Sequence, residues 1–214
     1  MSFSLHSIYA RIFKIWRRKR FALFVRLLSP RPDQRLLDVG GNPTSWMIHP
    51  VLLGAIDTVN IYQADWQLNP EYHIRTFVGD GCALVFPDKS YDIAFSNSVI
   101  EHVGSWERQQ AFAKEIRRIG NAIWVQTPAF ECPIEPHYLA PFVHWLPKSV
   151  QPKIVRWLTP YGLLQKPSVK KVDEMIETTR LLTKREVREL FPDCEIHTER
   201  LLGFIPKSYI AFRK

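Results

Sequence analysis

Acidic, amide and glycine residues follow four apolar runs of this chain, where they could bind a polar ligand. They are Asp38, Gly40, Gly41 and Asn42 around the end of the first run, Asp65 after the second, Asp80 and Gly81 after the third, and Asn97 at the end of the fourth. Adjacent glycines let backbone amides approach a ligand closely because they carry no Cβ atom. Taken singly, each acid is also typical of a helix N-cap or a turn. Because they occur together at the ends of four apolar runs, they predict a ligand crevice at the carboxyl ends of strands.

Histidine and glutamate side chains further along could supply a general base. Histidine titrates near neutral pH and can therefore take a proton from a hydroxyl nucleophile. We predict His137 as this base, with Glu135 orienting it or binding the substrate, and His102 in a positioning role or as the alternative base. These histidines and acids show no compact metal-ligand spacing, so we predict no metal site.

Strand and helix patterns alternate through the middle of the chain. We predict strands at 35–39, 58–64, 74–78, 91–96 and 122–126, and a helix at 106–119. This alternation predicts an α/β fold with a parallel sheet covered by helices. Two extended runs at 195–201 and 208–212 lie too close together for a helical crossover, so they predict a closing antiparallel hairpin.

Half of the 16 prolines fall between Thr127 and Pro167, together with several aromatic residues. This segment begins an insertion at about 128–182, directly after the fifth strand. An insertion at this place should rise from the carboxyl edge of the sheet and cover the crevice as a lid, where aromatic side chains would bind an apolar or sugar-like substrate. The alternative is a structural cap whose histidines only satisfy internal hydrogen bonds.

We predict a basic amphipathic helix in the N-terminal part, 1–30, and a separate domain over 31–214. Apolar residues recur at helical spacing over 3–28, interleaved with seven basic residues between Arg11 and Arg26. Three interpretations stay open: a helix packed on the domain with a solvated basic face, an interfacial contact to an anionic membrane, or a nucleic-acid contact.

The composition indicates how many domains the chain forms and in which cellular compartment it works. The chain has 214 residues, a formal net charge of +8 and three widely spaced cysteines without a C-x-x-C pair. These features favour one domain in a reducing cytoplasm, with peripheral membrane contact as the further expectation for the basic helix. We identified no apolar run near the roughly 18 to 20 residues that span a bilayer.

The first and fourth runs together resemble the class I S-adenosylmethionine-dependent methyltransferases, in particular the "type 11"-like domains that act on small molecules and lipids. The resemblance rests on 35–42, 79–84, 86–93 and 101–103, and it covers about 33–127 and again 183–214. It implies a Rossmann-like, mostly parallel seven-stranded sheet. Asn42 and Thr44 stand where the family motif has its later glycines.

The resemblance also implies a role for each residue toward S-adenosyl-L-methionine. Asp38 takes the acidic position of the first motif, and Gly40, Gly41 and Asn42 form the close-approach turn. Asp65, expected at the end of the second strand, is preferred over Asp57 for the ribose diol. Asp80 and Gly81 would lie beside the adenine, and Asn97 beside the methionine moiety.

Three classes of function follow. The favoured one is an enzyme that methylates an oxygen atom of a small-molecule, lipid or saccharide acceptor. An RNA-directed methyltransferase is suggested by the pI near 9.5, although the Pro-Pro-aromatic motif of amino-methylating enzymes does not follow Asn97. The third is an inactive cofactor-binding regulatory protein that keeps the fold.

Overall fold

The computed structural model describes residues 5–48, 53–135 and 140–214, with side chains from Ile15 onward. The strands are β1 Arg35–Val39, β2 Ala55–Asn60, β3 Ile74–Val78, β4 Tyr91–Asn97, β5 Gly120–Pro128, β6 Ile134–Glu135, β7 Ala140–Pro141, β8 Glu195–Leu201 and β9 Ile205–Arg213. The α-helices are α1 Leu5–Leu28, α2 Trp106–Ile119, α3 Gln151–Leu158, α4 Pro160–Gln165, α5 Val169–Thr178 and α6 Lys184–Leu190.

Seven strands form one sheet in the order β3-β2-β1-β4-β5-β9-β8. The first five pair in parallel, and β9 is antiparallel to both β5 and β8. The strand order reverses between β1 and β4, and such a switch point opens a crevice at the carboxyl ends of the strands. The predicted Rossmann-like sheet with its antiparallel C-terminal hairpin is therefore confirmed.

The predicted strand at 58–64 is wrong. The strand runs over Ala55–Asn60, and Ile61 and Tyr62 beyond it are exposed. The error arose at Asp57, since a carboxylate inside a buried strand normally argues against that strand. Here Asp57 is buried because it accepts hydrogen bonds from Arg75 Nη2 and from the Tyr91 hydroxyl, each at 2.7 Å.

Helices cover the two faces of the sheet unequally. The helices α2 and α6 pack on one face through residues such as Phe112, Ile116 and Val187. On the other face the described parts of the β1–β2 and β2–β3 connections form only short 3₁₀ turns, at Pro43–Ser45 and Pro70–Tyr72. The helix α1 fills that face instead, with the Phe24 ring buried against the sheet.

The insertion after β5 has a small core of its own, built by Ala140, Val143, Val155, Val172 and Ile176. Its end is attached to the domain, because the Arg180 amide donates to the Glu101 carbonyl at 2.7 Å and the Gln109 side chain donates to the Arg180 carbonyl at 2.9 Å. Among the described residues, none of the helices combines the length and apolar character needed to cross a membrane.

Candidate functional site

A cavity of about 390 Å³ opens at the carboxyl ends of β1 and β4, at the switch point of the sheet. It brings together five of the residues predicted from the sequence, namely Asp38, Gly40, Gly41, Asn42 and Asn97. Its other walls come from residues that the sequence analysis did not assign to this site, namely Arg17, Arg20, Phe21, Ser45, Trp46, Ile48, Phe95 and Ser98.

The turn after β1 requires both of its glycines. Gly40 has a φ of +77°, and a Cβ atom there would lie 2.6 Å from Val99 Cγ1. A Cβ atom on Gly41 would lie 1.8 Å from Asp38 Oδ2. The backbone therefore passes over the Asp38 carboxylate at a distance that only glycine permits.

The Asp38 side chain is 3% exposed at the floor of this cavity. Its Oδ2 atom accepts a hydrogen bond from Trp46 Nε1 at 2.9 Å, while its Oδ1 atom has no hydrogen-bond partner among the described residues. Burial raises the pKa of Asp38 to about 7, and the Trp46 hydrogen bond opposes this rise. A buried carboxylate oxygen without a donor is costly, so a cationic or donor ligand group would be stabilised there.

The wall opposite the glycine turn belongs to α1. Phe21 packs edge-on against Trp46 at a ring-centroid distance of 6.2 Å. Arg20 donates to Glu199 Oε2 at 2.7 Å and to Gln126 Oε1 at 2.8 Å. Of the three interpretations of this helix, packing on the domain is the one that agrees with these contacts, and the helix also lines the cavity. Only its pattern of interleaved aromatic and basic residues could have indicated this role.

The polar residues after β1 and β4 mainly fix the local backbone. The Asn42 side chain caps the following 3₁₀ turn by accepting from the Thr44 amide at 2.9 Å. Asn97 Oδ1 accepts from Trp124 Nε1 at 3.2 Å. Ser98 adopts a left-handed conformation with φ 54°, and its hydroxyl donates to Gln126 at 3.0 Å. Such a conformation is maintained by its surroundings and is typical of ligand sites.

Asp65, Asp80 and Gly81 do not line this cavity. The strand β2 ends at Asn60, so Asp65 is not at its end as we expected. A second cavity of about 280 Å³ lies beside this strand end, lined by Asn60, Tyr62, Gln63, Ala64, Trp66, Thr76, Phe77 and Val78.

Asp80 and Gly81 have structural contacts of their own. Asp80 is partly exposed, pairs with Arg108 at 2.9 Å and accepts from the Cys82 amide at 2.9 Å. A Cβ atom on Gly81 would lie 2.8 Å from side-chain atoms of both Phe112 and Val39, so glycine is needed there for packing. The Asp57 alternative is excluded from the crevice by its buried contacts with Arg75 and Tyr91.

The structure describes two of the three predicted catalytic residues, and both lie in the insertion or against it. His102 is exposed, with its Nδ1 atom 3.4 Å from the Thr179 hydroxyl at the end of the insertion. Glu135 is buried in the short strand β6. His137 lies outside the described residues. Within the described ranges, His, Cys, Asp and Glu form no group of three or more that could hold a metal ion.

Residues 41–121 match the family model described as "Methyltransferase domain". Similar solved structures include the PH0226 protein of Pyrococcus horikoshii OT3, with 15% identity, a TM-score of 0.57 and coverage of 94% of this chain and 89% of that chain. Magnesium protoporphyrin IX methyltransferase of Synechocystis PCC 6803 with bound SAH shares 11% identity at a TM-score of 0.57, covering 100% and 90%.

Phosphoethanolamine N-methyltransferase 2 of Haemonchus contortus, in complex with S-adenosyl-L-methionine, shares 14% identity at a TM-score of 0.54 and covers 87% of this chain and 39% of that chain. No curated protein matches the sequence.

The sheet order and the glycine-lined crevice define the class I methyltransferase fold. Residues 41–121, which run from the turn after β1 into β5, match the methyltransferase domain family. The resemblance predicted from the sequence is confirmed over this part of the chain: the domain is that of an S-adenosylmethionine-dependent methyltransferase.

Proposed function

We propose that the protein transfers the methyl group of S-adenosylmethionine to an oxygen atom of a small-molecule, lipid or saccharide acceptor. The binding of the cofactor is supported by the buried Asp38 carboxylate at the floor of a cavity of about 390 Å³, where one of its oxygens has no partner among the described residues. A carboxylate of this kind fits the ammonium group at the methionine end of the cofactor.

The remaining walls fit the rest of that methionine end. Gly41 and Asn97 also line the cavity. Arg20 is already bonded to Glu199, so the exposed Arg17 is the cation that we assign to the cofactor carboxylate. Asp38 and Arg17 both line the cavity, and their opposite charges would orient the zwitterionic methionine moiety in one direction.

The ribose diol has two candidate ligands, and their variants should separate them. Asp65 is the choice from sequence, whereas Asn60 stands at the true end of β2 and donates to the Gly41 carbonyl at 3.0 Å. Replacing the residue that binds the diol with alanine should weaken cofactor binding by about 1–2 kcal/mol, which is the usual penalty for an unpaired buried polar group. Calorimetry of Asp65→Ala and Asn60→Ala with S-adenosylmethionine distinguishes the two assignments.

If both variants bind normally, the diol contact lies elsewhere on the crevice. Asp80 and Gly81 stay our proposal for the adenine end, where the Asp80 carboxylate keeps enough exposure to accept another hydrogen bond beside Arg108.

The bound cofactor supplies a methyl group that its sulfonium centre has already activated. The chain therefore has to align the acceptor and exclude water. The insertion is suited to this because its far end is held at the carboxyl edge of the sheet by Arg180 and Gln109. Aromatic residues of the insertion, such as Phe130 and Trp145, would contact an apolar or saccharide acceptor.

We assign the general base to His137, oriented by Glu135, with His102 in a positioning role. His137→Ala should then lower kcat tenfold or more, because the hydroxyl acceptor loses its proton acceptor, while cofactor affinity stays unchanged. His102→Ala, at the residue to which we give the positioning role, is measured beside it for comparison. A larger loss of turnover in His102→Ala than in His137→Ala would transfer the base role to His102.

The acceptor class can be tested without knowing the acceptor. Purified protein is incubated with S-adenosylmethionine carrying a deuterated methyl group and with lipid, glycan or RNA extracts, and labelled products are identified by mass spectrometry. We expect label on an oxygen atom in the lipid or glycan extract. Label in the RNA extract alone would favour the nucleic-acid alternative, and no label in any extract would favour an inactive cofactor-binding protein.

In the described part of α1, only the basic face is available for the membrane contact that we propose for 3–28. Phe21 and Phe24 face the domain, whereas Arg17, Arg18 and Lys19 are exposed. A contact made by this half of the helix would therefore be electrostatic, through its basic face.

A further inference from the structure

The corner between α3 and α4 carries large apolar side chains that face solvent. Trp157 and Leu158 end α3 with 63% and 74% exposure, and Leu163 and Leu164 near the end of α4 are 58% and 63% exposed. We call these four residues the apolar corner. Single exposed apolar residues are common on protein surfaces, but four large ones on two consecutive short helices are typical of an interaction surface.

The apolar corner is held by its own local structure. Thr159 is buried between the helices, where its hydroxyl donates to the Val155 carbonyl at 2.6 Å and accepts from the Gly162 amide at 3.0 Å. A Cβ atom on Gly162 would lie 2.1 Å from the Val155 oxygen, so the two helices approach more closely than other residues permit. The inner sides of α3 and α5 pack through Val155, Val172 and Ile176, which leaves the corner side chains outside that core.

All charged residues of the segment that contains the apolar corner are basic. No Asp or Glu occurs between Glu135 and Asp173, whereas this segment contains the basic residues Lys148, Lys153, Arg156, Lys166, Lys170 and Lys171. The Arg156 guanidinium lies 5.1 Å from the centroid of the Trp157 ring, directly beside the apolar side chains. Lys170 has an acidic neighbour, Glu174 at 3.8 Å, while Lys153 and Lys166 are exposed.

We propose that the apolar corner inserts into the surface of an anionic phospholipid bilayer. Exposed tryptophan and leucine side chains enter the boundary between headgroups and acyl chains, and the flanking lysines and arginine meet the anionic headgroups. A nucleic acid would bind the cations but leave the leucines in water. A second copy of this chain would bring two basic segments together. The bilayer is the partner that satisfies both the apolar and the charged groups.

This inference is independent of the proposed methyl transfer, because vesicle binding is its readout. The full chain is sedimented with vesicles of phosphatidylcholine containing about one third phosphatidylserine, and with vesicles of phosphatidylcholine alone. We expect binding to the anionic vesicles that weakens as added salt screens the headgroup charge.

Two matched pairs of variants locate the contact. Leu158→Ser combined with Leu164→Ser should lower the vesicle partition coefficient about tenfold, because two inserted side chains are lost. Val85→Ser, at a residue with 92% exposure in the β3–β4 connection, should leave it unchanged. Lys153→Gln combined with Lys166→Gln should lower it about threefold or more, whereas Lys114→Gln on α2 should not.

Equal binding by the Leu158→Ser/Leu164→Ser variant and the unmodified protein would overturn the proposal, as would an absence of anionic vesicle binding. If Arg17→Gln/Lys19→Gln abolishes sedimentation while the corner variants do not, the membrane contact belongs to α1 instead. Circular dichroism of each variant ensures that a loss of binding is not a loss of the fold.

Discussion

Replacing Asp38 with asparagine should weaken S-adenosylmethionine binding by about 100-fold or more. The carboxylate is buried, and within the described part of the chain one of its oxygens has no partner, so the cofactor ammonium would meet a charge that asparagine cannot supply. Charge-assisted hydrogen bonds in such a site are the strongest single contacts available to the ligand. Calorimetry with the cofactor and with its demethylated product measures the effect, and Asp88→Asn, at an exposed acid, is the control.

The same residue should make cofactor binding depend on pH. Burial raises the pKa of Asp38 to about 7, so the carboxyl group of the free protein takes up a proton in mildly acidic solution. Binding of the ammonium requires the ionised form. Affinity should therefore be roughly five to ten times higher at about pH 7.5 than at about pH 6, and the dependence should vanish in Asp38→Asn. A flat profile in the unmodified protein would argue against Asp38 as the ammonium ligand.

Stability should change in the opposite direction. A carboxyl group whose pKa is raised in the folded state stabilises the fold below its unfolded pKa, and this contribution is lost as the pH rises through about 7. At about pH 8 the free protein therefore contains a destabilising buried charge. Asp38→Asn removes that charge and should raise the free energy of unfolding by about 1–3 kcal/mol in urea titrations. A residue that binds ligand at the expense of stability is typical of a functional site.

The glycine turn and its acid could be predicted from sequence because their roles are local. Gly40 and Gly41 are required by the backbone conformation and by the distance to Asp38, and both are properties of adjacent residues. The contact between Trp46 and Asp38 was missed because the sequence shows no periodic pattern linking a 3₁₀ turn to the preceding strand.

The end of β2 was predicted wrongly because the residues that stabilise this strand are distant in the sequence. Asp57 is acceptable within a buried strand only because Arg75 from β3 and Tyr91 from β4 satisfy its carboxylate. Neither partner is adjacent in sequence. We also expected Asp65 at the end of this strand, whereas it lies five residues beyond Asn60, and Asn60 is therefore a second candidate for the diol.

The helix α1 shows how one sequence pattern can serve two structures. Interleaved aromatic and basic residues are typical of an interfacial membrane helix, and they are equally compatible with a helix that covers an open sheet face. The described parts of the β1–β2 and β2–β3 connections form only 3₁₀ turns. Among the described residues, α1 is therefore the helix that covers the sheet face containing Phe95 and Trp124.

Phe24→Ala should therefore destabilise the whole protein by about 3–5 kcal/mol, the usual cost of emptying the space of a buried phenylalanine. The Phe24 ring is 1% exposed and lies edge-on to Phe95 at 5.2 Å and to Trp124 at 5.5 Å. Urea unfolding followed by circular dichroism gives the change. Ile15→Ala is the control on the same helix, because its side chain is 53% exposed and its loss should cost less than about 1 kcal/mol.

The comparison also tests the separation of residues 1–30 from the rest of the chain. If α1 were an independent membrane element, Phe24→Ala and Ile15→Ala would leave the unfolding of the domain equally unchanged. If α1 is structurally part of the domain, the Phe24 variant should also weaken cofactor binding, because Phe21 and Arg20 on the same helix line the cavity and lose their fixed position. Unchanged stability together with unchanged cofactor affinity would show that the helix does not contribute to this fold.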